Sequence, residues 1–181
     1  WRNFLSTGNH KTVLDLRRHN NTLVSGDNGA GKSTMLDALT FALFGKSFRG
    51  INIPQLPNSI NDKDCEVEII FSVGKVEYRV FRSLKPKKFE IYKDGTLLDQ
   101  SATVKDYQKM LEEQILKMTY NSFCQVVILG SSNYVPFMQL TAADRRSVVE
   151  NLLDIDIFSV MNTLVKGKMQ MAKEKIKDIE Y

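Results

Sequence analysis

Eight residues early in the chain have the composition and spacing of a phosphate-binding loop. Residues 26–33 read GDNGAGKS and fit the pattern G-x-x-x-x-G-K-[ST] at every fixed position. The glycines permit turns in which successive N–H groups point at a phosphate. In such loops the lysine, here Lys32, reaches the β- and γ-phosphates, and the hydroxyl of Ser33 ligates Mg²⁺. The stretch therefore predicts binding of a nucleoside triphosphate with Mg²⁺.

The elements around this loop have the pattern that such a site requires. Residues 21–25 predict a short strand before the loop, and residues 33–44 carry apolar side chains at helical spacing after it. In this arrangement the N-terminus of the helix faces the anion. The alternative is a glycine-rich turn that matches the pattern by chance, and the strand–loop–helix context argues against it.

The remaining predicted strands fall into three groups. Alternating apolar and polar residues predict a meander over residues 65–73, 76–84 and 89–93. Residues 1–25 predict an antiparallel pair that leads into the loop, and the apolar run 126–129 predicts a buried strand. Together with the helix after the loop, these strands predict an α/β fold.

Two helical regions follow the meander, and the later one sets the domain organisation. Residues 101–117 have one apolar face, and Thr141 is the expected N-cap of a further helix. From Ile157 onward, apolar residues recur at roughly heptad spacing, with lysines on the other faces. We therefore divide the chain into a lobe, residues 1–156, and a helix, residues 157–181. This helix either begins a coiled coil or docks on the lobe.

Composition sets only broad limits. The chain of 181 residues is 43% hydrophobic, and its formal net charge of +4 permits an anionic partner without requiring one. No apolar run is long enough for a membrane span, so no membrane partner is expected. Cys65 and Cys124 lack the spacing of metal ligands. We expect both to be buried thiols in a reducing compartment such as the cytoplasm.

One part of an ATPase site is missing from the sequence. P-loop ATPases use an acidic residue to hold Mg²⁺, and such a residue is expected at the end of a second apolar strand. No run of four apolar residues in this chain ends in Asp or Glu, and the run 126–129 is followed by Gly130. We therefore expect half of a catalytic site, which another part of the same gene product or a partner completes.

Several short motifs, taken in order, resemble one family of DNA-repair ATPases. They are WRNFLS at 1–6, the loop with Asn28, LDA at 36–38, FCQ at 123–125, and DRR at 144–146 followed by LLDI at 152–155. In this order they resemble the N-terminal lobe of the SMC-like ATPases of the SbcC type, and in particular the phage recombination-endonuclease subunits. The resemblance implies an ABC-type P-loop ATPase lobe with a mixed or antiparallel sheet.

The same resemblance implies roles for individual residues. Gln125 matches the Q-loop glutamine, which contacts Mg²⁺ or the attacking water, so Lys32 and Gln125 are the expected catalytic residues. The expected metal ligands are Ser33 and Gln125. The expected nucleotide-binding residues are Asn28, Gly29, Ala30, Gly31, Lys32, Ser33 and Thr34.

The function implied by the resemblance is an ATPase lobe that dimerises around ATP and regulates a nuclease at DNA ends. The implied partners are the C-terminal lobe of the same protein, a second copy, an SbcD-type nuclease, and double-stranded DNA bound without sequence specificity. A structural ATPase of a chromosome-organising complex is one alternative. A stand-alone P-loop enzyme is another, which the missing second-strand acid argues against.

Two surfaces are candidates for these partners. The basic residues from Lys75 to Lys93 could follow DNA phosphates, with a solvated strand face as the alternative. In the resembled family the nuclease docks at the root of the coiled coil, and Phe158, Met161 and Val165 are the candidates for that contact. Pairing of the coiled coil alone would use the neighbouring apolar stripe.

Overall fold

A meander of four antiparallel strands forms the sheet of this lobe. The computed structural model describes residues 1–99, 103–128, 135–153 and 155–179. The strands are β1 (Cys65–Val73), β2 (Val76–Leu84), β3 (Lys88–Lys93) and β4 (Thr96–Leu97), and they lie side by side in this order. The alternating pattern predicted the two long strands at their observed positions.

β1 is an edge strand with one open side. It pairs with β2 along its full length, from Cys65 opposite Leu84 to Val73 opposite Val76. On its other side, within the described ranges, its contact is the isolated bridge between Glu66 and Arg2. The outer edge of β1 beyond Glu66 therefore lacks a neighbouring strand in this part of the chain.

The helix after the loop, α1 (Lys32–Phe44), packs against β1 and β2. It ends where Gly45 adopts a left-handed conformation and donates its N–H to the carbonyl of Phe41 at 2.9 Å. Burial of apolar side chains holds the helix to the sheet. The cluster at this contact comprises Phe4, Ala38, Phe41, Ala42, Leu56, Cys65 and Val67.

Among the described residues, four further α-helices follow the sheet, and threonines cap the N-termini of three of them. They are α2 (Val104–Met110), which continues as a π-helical turn over Leu111–Leu116, α3 (Tyr120–Val126), α4 (Ala142–Leu152) and α5 (Asp156–Ile179). The hydroxyls of Thr103, Thr119 and Thr141 each accept the N–H of the residue three positions on. The N-cap predicted at Thr141 is confirmed.

The last helix, α5, runs without a break through Gly167. From Ile157 onward, every side chain of α5 that the structure describes is exposed. Among these residues, α5 therefore does not pack as a docked terminal helix. No helix in the described ranges is both long and apolar enough to cross a membrane.

The prediction of a strand over residues 126–129 is wrong for residues 126–128, which the structure describes. Val126 is the last residue of α3, and Val127 and Ile128 follow without strand pairing; Leu129 lies outside the described residues. The apolar run instead extends the packing of α3, since Ile128 and Phe123 are buried against Phe44 of α1. A short apolar run alone does not distinguish a buried strand from the end of a buried helix.

The antiparallel pair predicted over residues 1–25 is reduced to a single point of contact, where Trp1 and Thr12 exchange backbone hydrogen bonds of 2.9 and 2.8 Å. The other strand-like contacts of this segment among the described residues are two isolated bridges, Arg2 with Glu66 and Phe4 with Pro57. Residues 21–25, predicted as the strand before the loop, are irregular and exposed. A strand needs a partner for its backbone groups, and none lies beside this segment in the part of the chain described.

The two cysteines differ in their burial. Cys65 on β1 is fully buried, and burial raises the pKa of its thiol to about 12. Cys124 on α3 is half-buried, and burial raises the pKa of its thiol as well. Both are free thiols. The prediction of buried thiols is therefore confirmed for Cys65 and only partly for Cys124.

Candidate functional site

The glycine loop bends sharply before α1 begins. Gly29 and Gly31 have φ values of +87° and +93°, a region that residues with a Cβ rarely adopt. Gly31 is the N-cap of α1, has no side-chain cap, and is followed by a first turn without an acidic residue. The positive end of the helix dipole is therefore left without a carboxylate of its own, as a site for an anion requires.

The side chain of Lys32 folds back over this loop. Its Nζ donates to the carbonyl oxygens of Gly26 at 2.5 Å and Asp27 at 2.8 Å. Both acceptors are neutral, so these contacts place the ammonium at the loop without cancelling its charge. Lys32 thus adds a localised positive charge to the N-terminus of α1.

A cavity of about 370 Å³ opens in front of the loop. Six of the seven predicted nucleotide-binding residues line it; Ala30 lies in the loop but does not contribute to the lining. None of the described residues in the lining is acidic. The lining residues are Leu5, Ser6, Asn28, Gly29, Gly31, Lys32, Ser33, Thr34 and Arg49.

Arg49 is the residue of this cavity that the sequence reasoning missed. The fully buried carboxylate of Asp37 on α1 accepts the Nε of Arg49 at 2.6 Å and its backbone N–H at 3.0 Å. The hydroxyl of Ser47 donates to the same carboxylate at 2.6 Å. Asp37 thereby holds a second cation at the cavity. A carboxylate on the apolar side of α1 was a signal for a buried pair, but sequence spacing did not identify its partner.

The N-terminal turn contributes Leu5 and Ser6 to the cavity. The N–H of Leu5 donates to Leu56 at 2.7 Å, and the side chain of Asn58 donates to the carbonyl of Leu5 at 2.9 Å. Arg2 instead donates two hydrogen bonds of 2.9 Å each to the carboxylate of Glu66. Ser6 therefore lies at the cavity, whereas Arg2 is not part of its lining.

Gln125 lies apart from the cavity lining. It belongs to α3, which packs against α1: the rings of Phe123 and Phe44 are 5.1 Å apart. The Oε1 of Gln125 is buried and has no hydrogen-bond partner among the described residues. Its role as a catalytic residue and Mg²⁺ ligand stays a prediction.

Comparison with known proteins gives a consistent result. The chain is 43% identical over 167 residues to exonuclease subunit 2 of Enterobacteria phage T4, an alignment that covers 92% of this chain. It is 25% identical over 166 residues, 81% of this chain, to the SbcC component of the nuclease SbcCD from Lactococcus lactis. It is 24% identical over 186 residues, 99% of this chain, to the DNA double-strand break repair Rad50 ATPase of Thermoplasma volcanium.

These matches cover only part of each relative. The chain spans 30% of the length of the phage protein, 16% of the Lactococcus protein and 20% of the Thermoplasma protein. The resemblance to SbcC-type ATPases, drawn above from the motifs, is confirmed by these relatives. The profile of the family described as "AAA domain" matches residues 1–181. The chain therefore belongs to the AAA domain family.

Proposed function

We propose that the chain binds ATP with Mg²⁺ as one half of an ATPase site. The observation that carries the proposal is the cavity at the N-terminus of α1, whose described lining includes the basic side chains Lys32 and Arg49 and no carboxylate; Arg49 is paired with Asp37 outside the lining. Such a cavity suits a triphosphate chain. The oxygens of Ser33 and Gln125 are ligand types that Mg²⁺ accepts. Bound Mg²⁺ would neutralise charge on the β- and γ-phosphates.

The exposed segment before the loop supports the proposal of a half-site. Leu23 is 91% exposed and Val24 42%, although both are apolar and lead directly into the loop. An apolar segment with unpaired backbone is expected to gain a partner strand. We propose that the C-terminal lobe of the same protein supplies it, together with the missing acidic residue, and that two copies enclose ATP.

Turnover measurements test the half-site. We expect the chain alone to hydrolyse little or no ATP, and a mixture with the C-terminal lobe of the same protein to hydrolyse it. The same mixture made with Lys32→Ala is the control for contaminating ATPases. Vigorous turnover by the isolated chain, absent from the Lys32→Ala preparation, would show that the site is complete and the proposal wrong.

We further propose that α5 carries two apolar surfaces, one for a coiled-coil partner and one for a nuclease. The names of the phage and Lactococcus relatives, as subunits of nucleases, support a nuclease partner. Nine apolar residues on α5 have at least half of their surface exposed, and exposed apolar surface of this kind marks a site of protein contact. They are Ile157, Phe158, Val160, Met161, Leu164, Val165, Met169, Met171 and Ile176.

Two charged substitutions separate these surfaces. Replacing Phe158 and Val165 by aspartate should abolish co-purification with the nuclease and leave ATP binding unchanged, because neither side chain lies at the loop. The matched pair Leu164→Asp and Met171→Asp, on the predicted heptad stripe, should instead disrupt pairing of the helix. If the nuclease still co-purifies with the Phe158/Val165 variant, docking lies elsewhere.

As the third part of the proposal, we propose that the basic residues between Lys75 and Lys93 bind DNA. These residues do not form one continuous surface. Arg82 is buried, while Arg79 pairs with Glu68 and Lys85 with Asp62. The exposed lysines that remain lie at two opposite ends of the sheet, since Lys93 pairs with Tyr78 while Lys88 pairs with Ser83. Lys75 and Lys93 lie at one end, and Lys87 and Lys88 at the other.

Charge reversal at each end tests which lysines contact phosphates. We expect Lys87→Glu with Lys88→Glu to weaken binding to duplex DNA and to reduce the dependence of binding on salt, because each lost phosphate contact lowers the salt slope. Lys75→Glu with Lys93→Glu is the matched variant with the same change in charge. A salt slope unchanged by the Lys87/Lys88 pair would favour a solvated surface.

The alternatives are less well supported. A stand-alone P-loop enzyme fits poorly with relatives several times longer than this chain. A chromosome-organising ATPase would use the same loop, but the phage, Lactococcus and Thermoplasma relatives bear the names of nuclease subunits or of a DNA-repair ATPase. We therefore favour a repair or recombination ATPase.

A further inference from the structure

Arg82 is a buried arginine at the far end of α1. It lies on β2 with 8% of its surface exposed. Its Nε donates to the carbonyl of Ala42 at 2.7 Å, and an Nη donates to the carbonyl of Leu43 at 3.5 Å. Ala42 and Leu43 belong to the last turn of α1, whose carbonyls have no partner within the helix.

The surroundings of Arg82 hold its guanidinium from several sides. The group lies over the ring of Phe89, 3.5 Å from the centroid, and also donates to the side chain of Gln108 on α2. Gln108 in turn donates to Leu43 at 3.1 Å. The backbone at Gly45 also lies close to the guanidinium, because a Cβ at Gly45 would be 3.3 Å from an Nη of Arg82.

These contacts explain why a cation is buried here. Burial of an arginine is costly unless its charge and its donors are satisfied. The C-terminal end of a helix carries partial negative charge, and the acceptors of Arg82 include carbonyls at that end of α1. The two ends of α1 thus each face a cation: Lys32 at the loop and Arg82 at the sheet.

We infer that Arg82 is a positioning residue for nucleotide binding, acting through α1. The apolar cluster holds α1 to the sheet through non-directional contacts. Hydrogen bonds are directional: those from Arg82 fix the C-terminal end of α1 against β2, while those to Asp37 join the middle of α1 to residues 47–49. Because α1 is a rigid rod of 13 residues, its position at Arg82 determines where Lys32 and Ser33 lie at the cavity. This inference rests on the proposed ATP site.

The test compares two core substitutions in the full-length protein. Arg82→Met removes the hydrogen bonds and the charge while keeping an unbranched side chain. Ile91→Ala, in the fully buried core between β3 and α2, is the matched control because it lowers stability without touching α1. The affinity for Mg-ATP and the melting temperature are measured for both. Arg82→Lys, which keeps the charge and one donor group, is measured beside them.

We expect Arg82→Met to weaken Mg-ATP binding by about tenfold, because small displacements of positioned groups have effects of this size or larger. Ile91→Ala should leave the affinity within about twofold, and Arg82→Lys should recover part of the loss. If Arg82→Met binds Mg-ATP as the wild type does, or if Ile91→Ala weakens binding equally, Arg82 is a stability residue only and the inference is wrong.

A milder variant keeps the test decisive if Arg82→Met does not fold. Gln108→Leu leaves Arg82 in place but removes its acceptor on α2 and one donor to Leu43. A smaller loss of affinity, without an equal loss in Ile91→Ala, is the result expected; an unchanged affinity would overturn the inference. Failure of the wild-type protein to bind Mg-ATP would instead overturn the proposed function itself.

Discussion

The meander and the segment that carries the phosphate-binding loop are built in opposite ways. In the meander each strand pairs with the next, and Val80 and Ile91 are fully buried. In the loop segment every residue from 8 to 30 is exposed, and Lys32 rests on backbone carbonyls. Stability and chemistry therefore lie in different parts of the chain, joined by α1. Substitutions in the meander that do not contact α1 should leave nucleotide binding unchanged, and substitutions in the loop should leave stability unchanged.

Lys32→Ala should have the largest effect on the chemistry. We expect it to abolish binding of ATP, because it removes the cation that the loop itself supplies to the phosphates. The free energy of unfolding should stay at the wild-type value, since the side chain bonds only to carbonyls at an exposed loop. Equilibrium binding and urea unfolding measure the two properties. Unchanged binding would show that the nucleotide site is assigned wrongly.

Ile91→Ala should have the converse effect. Deleting most of a fully buried isoleucine side chain lowers the free energy of unfolding by about 2–5 kcal/mol. ATP affinity should not change under conditions where the protein stays folded, because β3 does not contribute to the cavity. Denaturant unfolding followed by binding at low temperature measures both. A parallel loss of affinity would mean that the two regions are not independent.

Arg49→Ala tests the link between the cavity and the buried carboxylate of Asp37. We expect ATP to bind about tenfold more weakly, as for loss of one charge-assisted contact. Stability should also fall slightly, because the buried side chain of Asp37 would lose one hydrogen-bond donor. Arg49→Ala combined with Asp37→Asn should recover the stability but not the affinity. If affinity recovers as well, Arg49 acts only through the fold.

The pair of Arg2 with Glu66 is predicted to give the smallest effect, as a dependence of stability on pH. The hydrogen bond from Arg2 lowers the pKa of Glu66 from its usual value of 4.5. Such a carboxylate stabilises the fold above pH 4.5, and this contribution is lost as pH falls through the lower pKa of the folded state. Glu66→Gln should lack this change. Equal acid sensitivity of both proteins would exclude the pair as its source.

Sequence reasoning succeeded where the required contacts are local. The turn at residues 74–75 brings β1 and β2 together, so alternation sufficed to predict both strands. The loop motif likewise placed Lys32, Ser33 and Thr34 around one cavity, because they are neighbours in the chain. Short-range spacing carries this information directly.

The failures involve partners that are distant in the chain. Arg49 reaches the cavity through Asp37, and no spacing rule links the two. Arg82 was read as part of a basic surface, whereas the end of α1 buries it. The apolar residues 21–25 had the right composition for a strand, but a strand also requires a neighbour. Gln125 was assigned from resemblance, and its place on α3 leaves its role to experiment.

The open edge of β1 has a consequence for how this lobe behaves in solution. Ile70 and Val73 near its end are nearly half exposed, and the bridge to Arg2 covers only the first residues of the strand. In the part of the chain that the structure describes, an edge of this length offers unpaired backbone groups to any other extended chain, including another copy. The lobe on its own should therefore self-associate as its concentration rises, through edge-to-edge contacts that light scattering would detect. Ile70→Lys should raise the concentration at which this self-association begins.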